Sequence, residues 1–184
     1  MRIISGKYKG RKIVPPANMK ARPTTDFAKE GLFDILSHRI DLEGLSVLDL
    51  FSGTGFLSYE FASREAKSVT AVELNPNHAA FIRKTAKDLQ MPLFVVEADA
   101  FRYIEKVKST FDLIFCDPPY DLDGIDRLPK LIFEHEILKE EGLLIIEHSK
   151  KNAFLNEPYF IHQRSYGKVQ FSFFSKNAEK YFFK

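Results

Sequence analysis

The stretch Leu45-Ser46-Val47-Leu48-Asp49-Leu50-Phe51-Ser52-Gly53-Thr54-Gly55 decides the fold of this chain. Its apolar part, from Leu45 to Phe51, has the length and composition of a buried parallel strand. Ser52 to Gly55 is a glycine loop, and glycine lets a ligand approach the main chain closely. A helix is predicted from Phe56 to Arg64, and its free N–H groups favour an anionic group. This strand, loop and helix predict a cofactor site in an α/β protein.

A second apolar run ends in a loop that can carry chemistry. Leu113-Ile114-Phe115-Cys116 is followed by Asp117-Pro118-Pro119-Tyr120. Ligands of open α/β sheets bind along the carboxyl edge of the strands, so both loops are expected at the same edge. A glycine loop that can bind a cofactor, next to an Asp-Pro-Pro-Tyr loop that can bind a base, predicts a methyltransferase that uses S-adenosylmethionine (SAM) and acts on an amino group.

Strands and helices alternate from Leu45 onward, which is typical of a doubly wound parallel sheet. Further strands are predicted at 69–73, 93–96, 111–116 and 143–147, with helices at about 100–107 and 125–133. Another helix begins after Asn75, a good N-cap, with Pro76 at its first position. The runs 159–166 and 169–174 are joined by Gly167-Lys168 and predict a hairpin. We therefore predict a Rossmann-like class I methyltransferase fold with a seven-stranded, mostly parallel sheet and a C-terminal antiparallel hairpin.

Residues 1–40 are predicted to form a small extension, and residues 41–184 the methyltransferase core. In the extension, Arg2–Gly6 and Gly10–Val14 are expected as two short strands around a turn at residues 7–9. A helix should begin at Asp26 and end near Ser37.

Composition indicates one core with a small appendage. The chain has 184 residues, of which 45% are hydrophobic. No run approaches the roughly 20 apolar residues of a membrane helix, and the first residues lack the apolar core of a signal peptide. The single cysteine, Cys116, is expected to be a buried hydrophobe. The histidines show no metal-ligand spacing, so we predict that the protein has no metal site. The missing membrane helix and signal peptide, together with the single cysteine, predict a cytoplasmic location.

Basic residues dominate the first part of the chain, which has no acidic residue before Asp26. A solvated basic hairpin is one interpretation. Beside a base-modifying site, a segment that contacts phosphates is favoured, because neutralised phosphates release counterions. The predicted RNA-binding residues are Arg2, Lys7, Lys9, Arg11, Lys12 and Arg22.

Acidic residues at the ends of the predicted strands complete the cofactor site. Glu73 stands about 20 residues after the loop, where a carboxylate meets ribose hydroxyls. Asp99 and Ala100 are expected at the adenine edge, and Asp49 near the loop amides and the methionine ammonium. Any one such acid can instead cap a helix or face water. The predicted cofactor-binding residues are Asp49, Phe51, Ser52, Gly53, Thr54, Gly55, Glu73, Leu74, Asp99 and Ala100.

The predicted catalytic residues are Asp117, Pro118, Pro119 and Tyr120. An exocyclic base amine is a poor nucleophile, because its lone pair is delocalised into the ring. The Asp117 carboxylate and the Pro118 carbonyl can accept its two N–H groups and localise the lone pair. The prolines fix φ, so these acceptors are held in place before reaction. Tyr120 offers a flat face for stacking on an extruded base.

The chain as a whole resembles the RsmD family, bacterial enzymes that methylate the N2 amine of a guanine in small-subunit (16S) ribosomal RNA. The family-specific residues are Arg2-Ile3-Ile4-Ser5-Gly6, Gly10-Arg11-Lys12, Arg22-Pro23-Thr24-Thr25-Asp26, Glu30 and Leu32-Phe33, followed by the two site motifs. The resemblance implies SAM as cofactor, S-adenosylhomocysteine (SAH) as product, and 16S rRNA or a partly assembled small subunit as substrate. It also implies that Arg22 to Asp26 cover the cofactor cleft. Phe27 and Lys29 depart from the family, which usually has arginines there.

Two other functions remain open from the residues alone. An adenine N6 methyltransferase on DNA or RNA is the nearer one, since the catalytic motif does not name its base. An NAD-binding oxidoreductase or regulator is the more distant one. Ser58 disfavours NAD, because it stands where a dinucleotide fingerprint has its third glycine.

Overall fold

A computed structural model describes residues 1–17, 19 and 26–181, without the side chains of Asp26 and Phe27. Within these residues the chain forms five α-helices and seven strands. The strands are β1 (Ser46–Leu50), β2 (Ser68–Glu73), β3 (Leu93–Glu97), β4 (Phe111–Cys116), β5 (Leu138–Ser149), β6 (Phe160–Tyr166) and β7 (Val169–Phe174). The helices are α1 (Asp26–Ser37), α2 (Phe56–Ser63), α3 (Pro76–Asp88), α4 (Ala100–Lys106) and α5 (Leu128–Glu134).

All seven strands belong to one sheet in the order β3-β2-β1-β4-β5-β7-β6. The strands from β1 to β5 pair in parallel, whereas β7 pairs antiparallel with both β5 and β6. The predicted mostly parallel sheet with an antiparallel end is therefore confirmed. The strand order reverses between β1 and β4, which places the end of β1 beside the end of β4 at the switch point of the sheet.

The central strands of the sheet, such as β1, β4 and β7, are buried on both faces, whereas the edge strands β3 and β6 are partly exposed. Alternate residues of the central strands, such as Leu113 and Phe115 of β4, pack into the core layer that contains α1 and α2. Their neighbours Ile114 and Cys116 pack into the opposite layer with α4 and α5. Cys116 is fully buried, as expected for a small hydrophobe, and burial raises the pKa of its thiol.

Helix α3 follows the predicted capping signal closely. The Asn75 side chain accepts hydrogen bonds from the backbone N–H groups of Asn77 and His78, and Pro76 is the first residue of the helix. Ala79, Ile82 and Ala86 form its buried face. Local sequence thus determines both where the helix begins and which side packs on the sheet.

The N-terminal segment reverses direction, but it does not form the two regular strands that were predicted. Within the described residues its antiparallel pairing is an isolated bridge between Arg2 and Lys12. The N–H groups of Ile4 and Ser5 donate to the Glu60 carboxylate of α2 instead of to a neighbouring strand. The buried Glu60 side chain thus accepts hydrogen bonds from backbone N–H groups that a regular strand would donate to its partner strand. The segment is therefore a series of turns. We call residues 2–12 the basic loop.

Most core elements lie within about one residue of their predicted bounds, but two begin at a clearly different residue. Strand β5 begins at Leu138 rather than at Leu143, because it pairs with Phe111 before a register shift near Gly142. The predicted helix at 125–133 is a 3₁₀ turn, Ile125–Arg127, followed by α5.

Candidate active site

The glycine loop turns sharply at the carboxyl end of β1. Phe51, Gly53 and Gly55 all have positive φ, at 64°, 57° and 81°. A Cβ on Gly53 would meet no atom within 4 Å, whereas one on Gly55 would lie 2.9 Å from Ile82. The loop therefore needs Gly55 for its packing against α3, and Gly53 leaves open space where a ligand can approach the main chain.

Glu73 holds the glycine loop from the end of β2. Its Oε2 accepts a 2.7 Å hydrogen bond from the Gly53 N–H, and its Oε1 accepts a 2.8 Å bond from the Asn75 N–H. The carboxylate is largely buried. Each oxygen has a second lone pair, so the predicted contact to ribose hydroxyls is compatible with these bonds. The sequence did not indicate that Glu73 also supports the loop.

Asp49 lies beneath the loop and is almost fully buried. Its carboxylate accepts a short hydrogen bond from the Ser58 hydroxyl in the first turns of α2. Burial raises the pKa of Asp49 to about 7, and the nearby Asp117 and Glu73 carboxylates add to the rise. Asp49 is therefore poised to change its charge near neutral pH, and a ligand cation beside it would favour the ionised form.

Asp99 caps the N-terminus of α4 through a 3.0 Å bond from the Arg102 N–H, while its side chain stays partly exposed. Ala100 is buried at the start of that helix. Leu74 is 67% exposed beside the same cleft, and Phe51 packs edge-on against Phe101. These residues form an apolar and acidic edge that can take a flat heterocycle.

A cavity of about 1090 Å³ joins the two loops. This volume lies slightly above the roughly 300–1,000 Å³ of most small-molecule sites, so the cavity has room for a cofactor and a second ligand. Of the predicted cofactor residues, Gly55 does not line the cavity. The other nine do: Asp49, Phe51, Ser52, Gly53, Thr54, Glu73, Leu74, Asp99 and Ala100.

The first three residues of the Asp117-Pro118-Pro119-Tyr120 loop form the other wall of this cavity, whereas Tyr120 is not among its lining residues. Asp117, Pro118 and Pro119 line it, and the Asp117 N–H donates to the Leu50 carbonyl at 3.3 Å. The Pro119 carbonyl accepts from the Leu122 N–H at 2.9 Å, which closes the loop as a turn. The structure thus brings the predicted carboxylate and the glycine loop to one cavity.

Tyr120 is oriented by a residue that the sequence did not single out. Its hydroxyl donates to Glu147 Oε1 at 3.3 Å, and Glu147 is almost fully buried at the end of β5. Cys116 and Ile146 pair in register and share one core layer, so Asp117 and Glu147 follow them on the opposite face. Glu147 follows an apolar run, as Asp117 does, and this shared pattern could have identified Glu147 as a site residue from the sequence.

The basic loop is held on the last turn of α2 by hydrogen bonds from its backbone N–H groups. The Glu60 carboxylate accepts from Ile4 and Ser5 at 2.8 and 3.1 Å, and the Ser63 carbonyl accepts from the Lys7 N–H at 2.7 Å. The cationic side chains of the loop point to solvent; they are Arg2, Lys7, Lys9, Arg11 and Lys12. Arg22 and the predicted cover over the cleft lie outside the described residues.

Lys29 is a further cavity residue that was not predicted to be one. Its ammonium lies 3.9 Å from the centroid of the Phe56 ring, at the start of α2. No group of His, Cys, Asp and Glu residues in the described part of the chain can hold a metal ion. Among residues 1–17, 19 and 26–181, no helix is long and apolar enough to cross a membrane.

Comparison with known proteins agrees with this geometry. Residues 1–175 match the family described as conserved hypothetical protein 95. Ribosomal RNA small subunit methyltransferase D of Buchnera aphidicola subsp. Baizongia pistaciae is 34% identical, over 86% of this chain and 81% of the relative. The Escherichia coli K12 protein of the same name is 27% identical, over 97% and 91%.

A solved structure of a candidate methyltransferase from Escherichia coli superposes with a TM-score of 0.83 at 26% identity. The match covers 95% of this chain and 96% of that one. This likeness confirms the predicted class I methyltransferase fold. Because the family match spans most of the chain and the Buchnera relative exceeds 30% identity, the chain belongs to the conserved hypothetical protein 95 family, the RsmD family of methyltransferases.

Proposed function

We propose that this protein transfers the methyl group of SAM to the exocyclic N2 amine of a guanine in 16S ribosomal RNA and releases SAH. The observation that carries the proposal is the single cavity lined by both the glycine loop and the Asp117-Pro118-Pro119 segment. Family membership supports a methyltransferase, and the names of the relatives support small-subunit ribosomal RNA as substrate. Such an enzyme would work in the cytoplasm.

The cleft fits the chemistry of SAM. Open space at Gly53 allows the methionine part to approach the backbone, and Asp49 lies close enough to the loop to attract the methionine ammonium. Glu73 has lone pairs left for ribose hydroxyls, and Leu74 with Asp99 and Ala100 offers an edge for adenine. When bound, SAM supplies an electrophilic methyl group on its sulfonium sulfur.

The residues of the catalytic loop prepare the target amine. In this proposal Asp117 and the Pro118 carbonyl accept the two N–H groups, which directs the nitrogen lone pair toward the methyl carbon. Most of the rate acceleration then comes from holding the nitrogen, the methyl carbon and the sulfur in line, because correct positioning of reactants by itself strongly accelerates a reaction. The amine loses its extra proton after transfer, so no strong general base is needed. Tyr120, held by Glu147, stacks on the extruded base.

We assign RNA binding to the extension formed by residues 1–40, and cofactor binding and catalysis to residues 41–184. The exposed cations of the basic loop supply phosphate contacts, which confer affinity and position rather than base specificity. Docking on α2 keeps them at a fixed distance from the glycine loop, because α2 begins at that loop. Arg22 completes the proposed set.

The test is to incubate the protein with labelled SAM and either total RNA or total DNA, and then to identify the methylated nucleoside. We expect N2-methylguanosine from RNA and no label in DNA. Naked 16S rRNA and partly assembled small subunits, compared as substrates, identify the form that is used. Label in N6-methyladenosine would reject guanine as the target, and transfer to none of these substrates (DNA, naked RNA or partly assembled subunits) would reject the proposal as a whole.

A further inference from the structure

The candidate cofactor cavity is strongly acidic. Four carboxylates are among its described lining residues: Asp49, Glu73, Asp99 and Asp117. These groups suit the two cationic groups of SAM, the sulfonium and the ammonium. They do not suit its carboxylate, which needs hydrogen-bond donors or a cation close by.

Lys29 is the one lysine or arginine among the described residues that line this cavity. It reaches the cavity from α1, and its ammonium lies over the face of Phe56, 3.9 Å from the ring centroid. Phe56 is the first residue of α2 and directly follows the glycine loop. The contact with Phe56 therefore holds the Lys29 ammonium next to the glycine loop, where the methionine part of the cofactor is proposed to bind.

We propose that Lys29 binds the methionine carboxylate of SAM and SAH. This inference rests on the proposed function, since it requires SAM in this cavity. It assigns to α1 a cofactor contact in addition to its packing on the core. A phosphate of the RNA substrate is the competing anion, and the test separates the two.

The experiment measures by calorimetry the affinities for SAM, for SAH and for 5′-methylthioadenosine, which lacks the amino and carboxylate groups of the methionine part. The variants are Lys29→Gln, Lys29→Arg and, as a matched control, Lys84→Gln, which removes a lysine 78% exposed on α3. We expect Lys29→Gln to lower the affinities for SAM and SAH by about tenfold, which is the scale of a lost charge-assisted hydrogen bond. Binding of 5′-methylthioadenosine should not change. Lys29→Arg should restore most of the affinity, and Lys84→Gln should have no effect.

The sign of the SAM result is informative. SAM is a net cation and SAH is net neutral, so a long-range effect of the Lys29 charge would repel SAM. Loss of the lysine would then strengthen SAM binding and leave SAH unchanged, which would overturn the proposal.

Unchanged SAM and SAH affinities with a raised KM for RNA would also overturn it, in favour of a phosphate contact. Equal losses for all three ligands would indicate a damaged cavity and would equally reject a specific carboxylate contact. Failure of the wild-type protein to bind SAM would instead reject the proposed function.

Discussion

Asp49 is expected to couple cofactor binding to pH, because its carboxyl group is buried and its pKa is raised to about 7. The proposed contact to the SAM ammonium requires the ionised form. Affinity for SAM should therefore rise as pH increases through the pKa, by roughly five- to tenfold between pH 6 and pH 7.5. Asp49→Asn should bind SAM more weakly and lose most of this pH dependence. A wild-type affinity that stays flat over this range would show that Asp49 is not a cofactor contact.

The same carboxyl group lowers stability when it ionises. Its native pKa is raised from 3.8 to about 7, so the folded state binds the proton more tightly than the unfolded state. The contribution of Asp49 to the free energy of unfolding is fully present below pH 4 and is lost as pH rises toward 7. Asp49→Asn should thus gain in melting temperature relative to wild type at pH 8, and show no such gain at pH 4.

Tyr120 is predicted to act through both its ring and its hydroxyl. Tyr120→Ala removes the stacking surface and should weaken use of RNA by roughly 1–3 kcal/mol, the range for base–aromatic stacking. Tyr120→Phe keeps the ring but leaves the buried Glu147 with one donor fewer. It should show a smaller loss, mainly in kcat, because the ring is less well oriented. The check is steady-state kinetics on RNA with SAM affinity measured in parallel; equal losses for Phe and Ala would contradict the stacking role.

At the scale of elements, α2 connects the candidate cofactor site to the basic loop. All of its residues are buried, including Ser58, which contacts Asp49, and Glu60, which holds the loop. Its eight residues span about 12 Å at 1.5 Å per residue. The position of the basic loop relative to the glycine loop is therefore set by a short rigid element.

Gly6 tests this docking, and Gly10 offers a matched control. Both have positive φ, at 79° and 84°. A Cβ on Gly6 would lie 1.8 Å from the Ser63 carbonyl oxygen, whereas one on Gly10 would meet nothing within 4 Å. Gly10→Ala should cost only the backbone strain of about 1–2 kcal/mol.

Gly6→Ala should lower the melting temperature further and raise the KM for RNA, because the loop must leave its place on α2. SAM affinity should change little. Equal KM values for the two variants would mean that the position of the loop is unimportant for RNA.

At the scale of the whole molecule, the cations of the basic loop predict a salt-dependent interaction with RNA. Replacing Lys7, Lys9, Arg11 and Lys12 by Gln should raise the KM for RNA without changing the methylated base or the affinity for SAM. In a plot of the logarithm of RNA affinity against the logarithm of salt concentration, each lost phosphate contact should reduce the steepness of the slope by about 0.7–0.9. Loss of two or three contacts should therefore reduce it by roughly 1.5–2.5. Identical slopes for wild type and variant would exclude the loop as an RNA contact.

Local patterns predicted the elements that local interactions determine. The apolar run 111–116 is strand β4 with the predicted bounds, and Asn75-Pro76 begins α3 as its capping chemistry requires. The basic loop was predicted as two strands because its Glu60 partner lies more than fifty residues away. The contact between Tyr120 and Glu147 depends on the pairing of β4 with β5, and the position of Lys29 depends on how α1 packs. Such contacts between distant residues follow from tertiary structure, which local periodicity does not encode.

Methylation mapping of ribosomal RNA tests the central claim most directly. Small-subunit rRNA would be analysed by mass spectrometry from a strain that lacks this gene and from the same strain carrying wild type or Asp117→Ala. Asp117→Ala should leave SAM affinity within about a few-fold of wild type but lose at least about 100-fold in turnover, the scale for an oriented polar group. The proposal predicts that one guanine loses its N2 methyl group in the deletion strain and regains it with wild type, but not with Asp117→Ala. An unchanged methylation pattern, or a change confined to adenines, would contradict it.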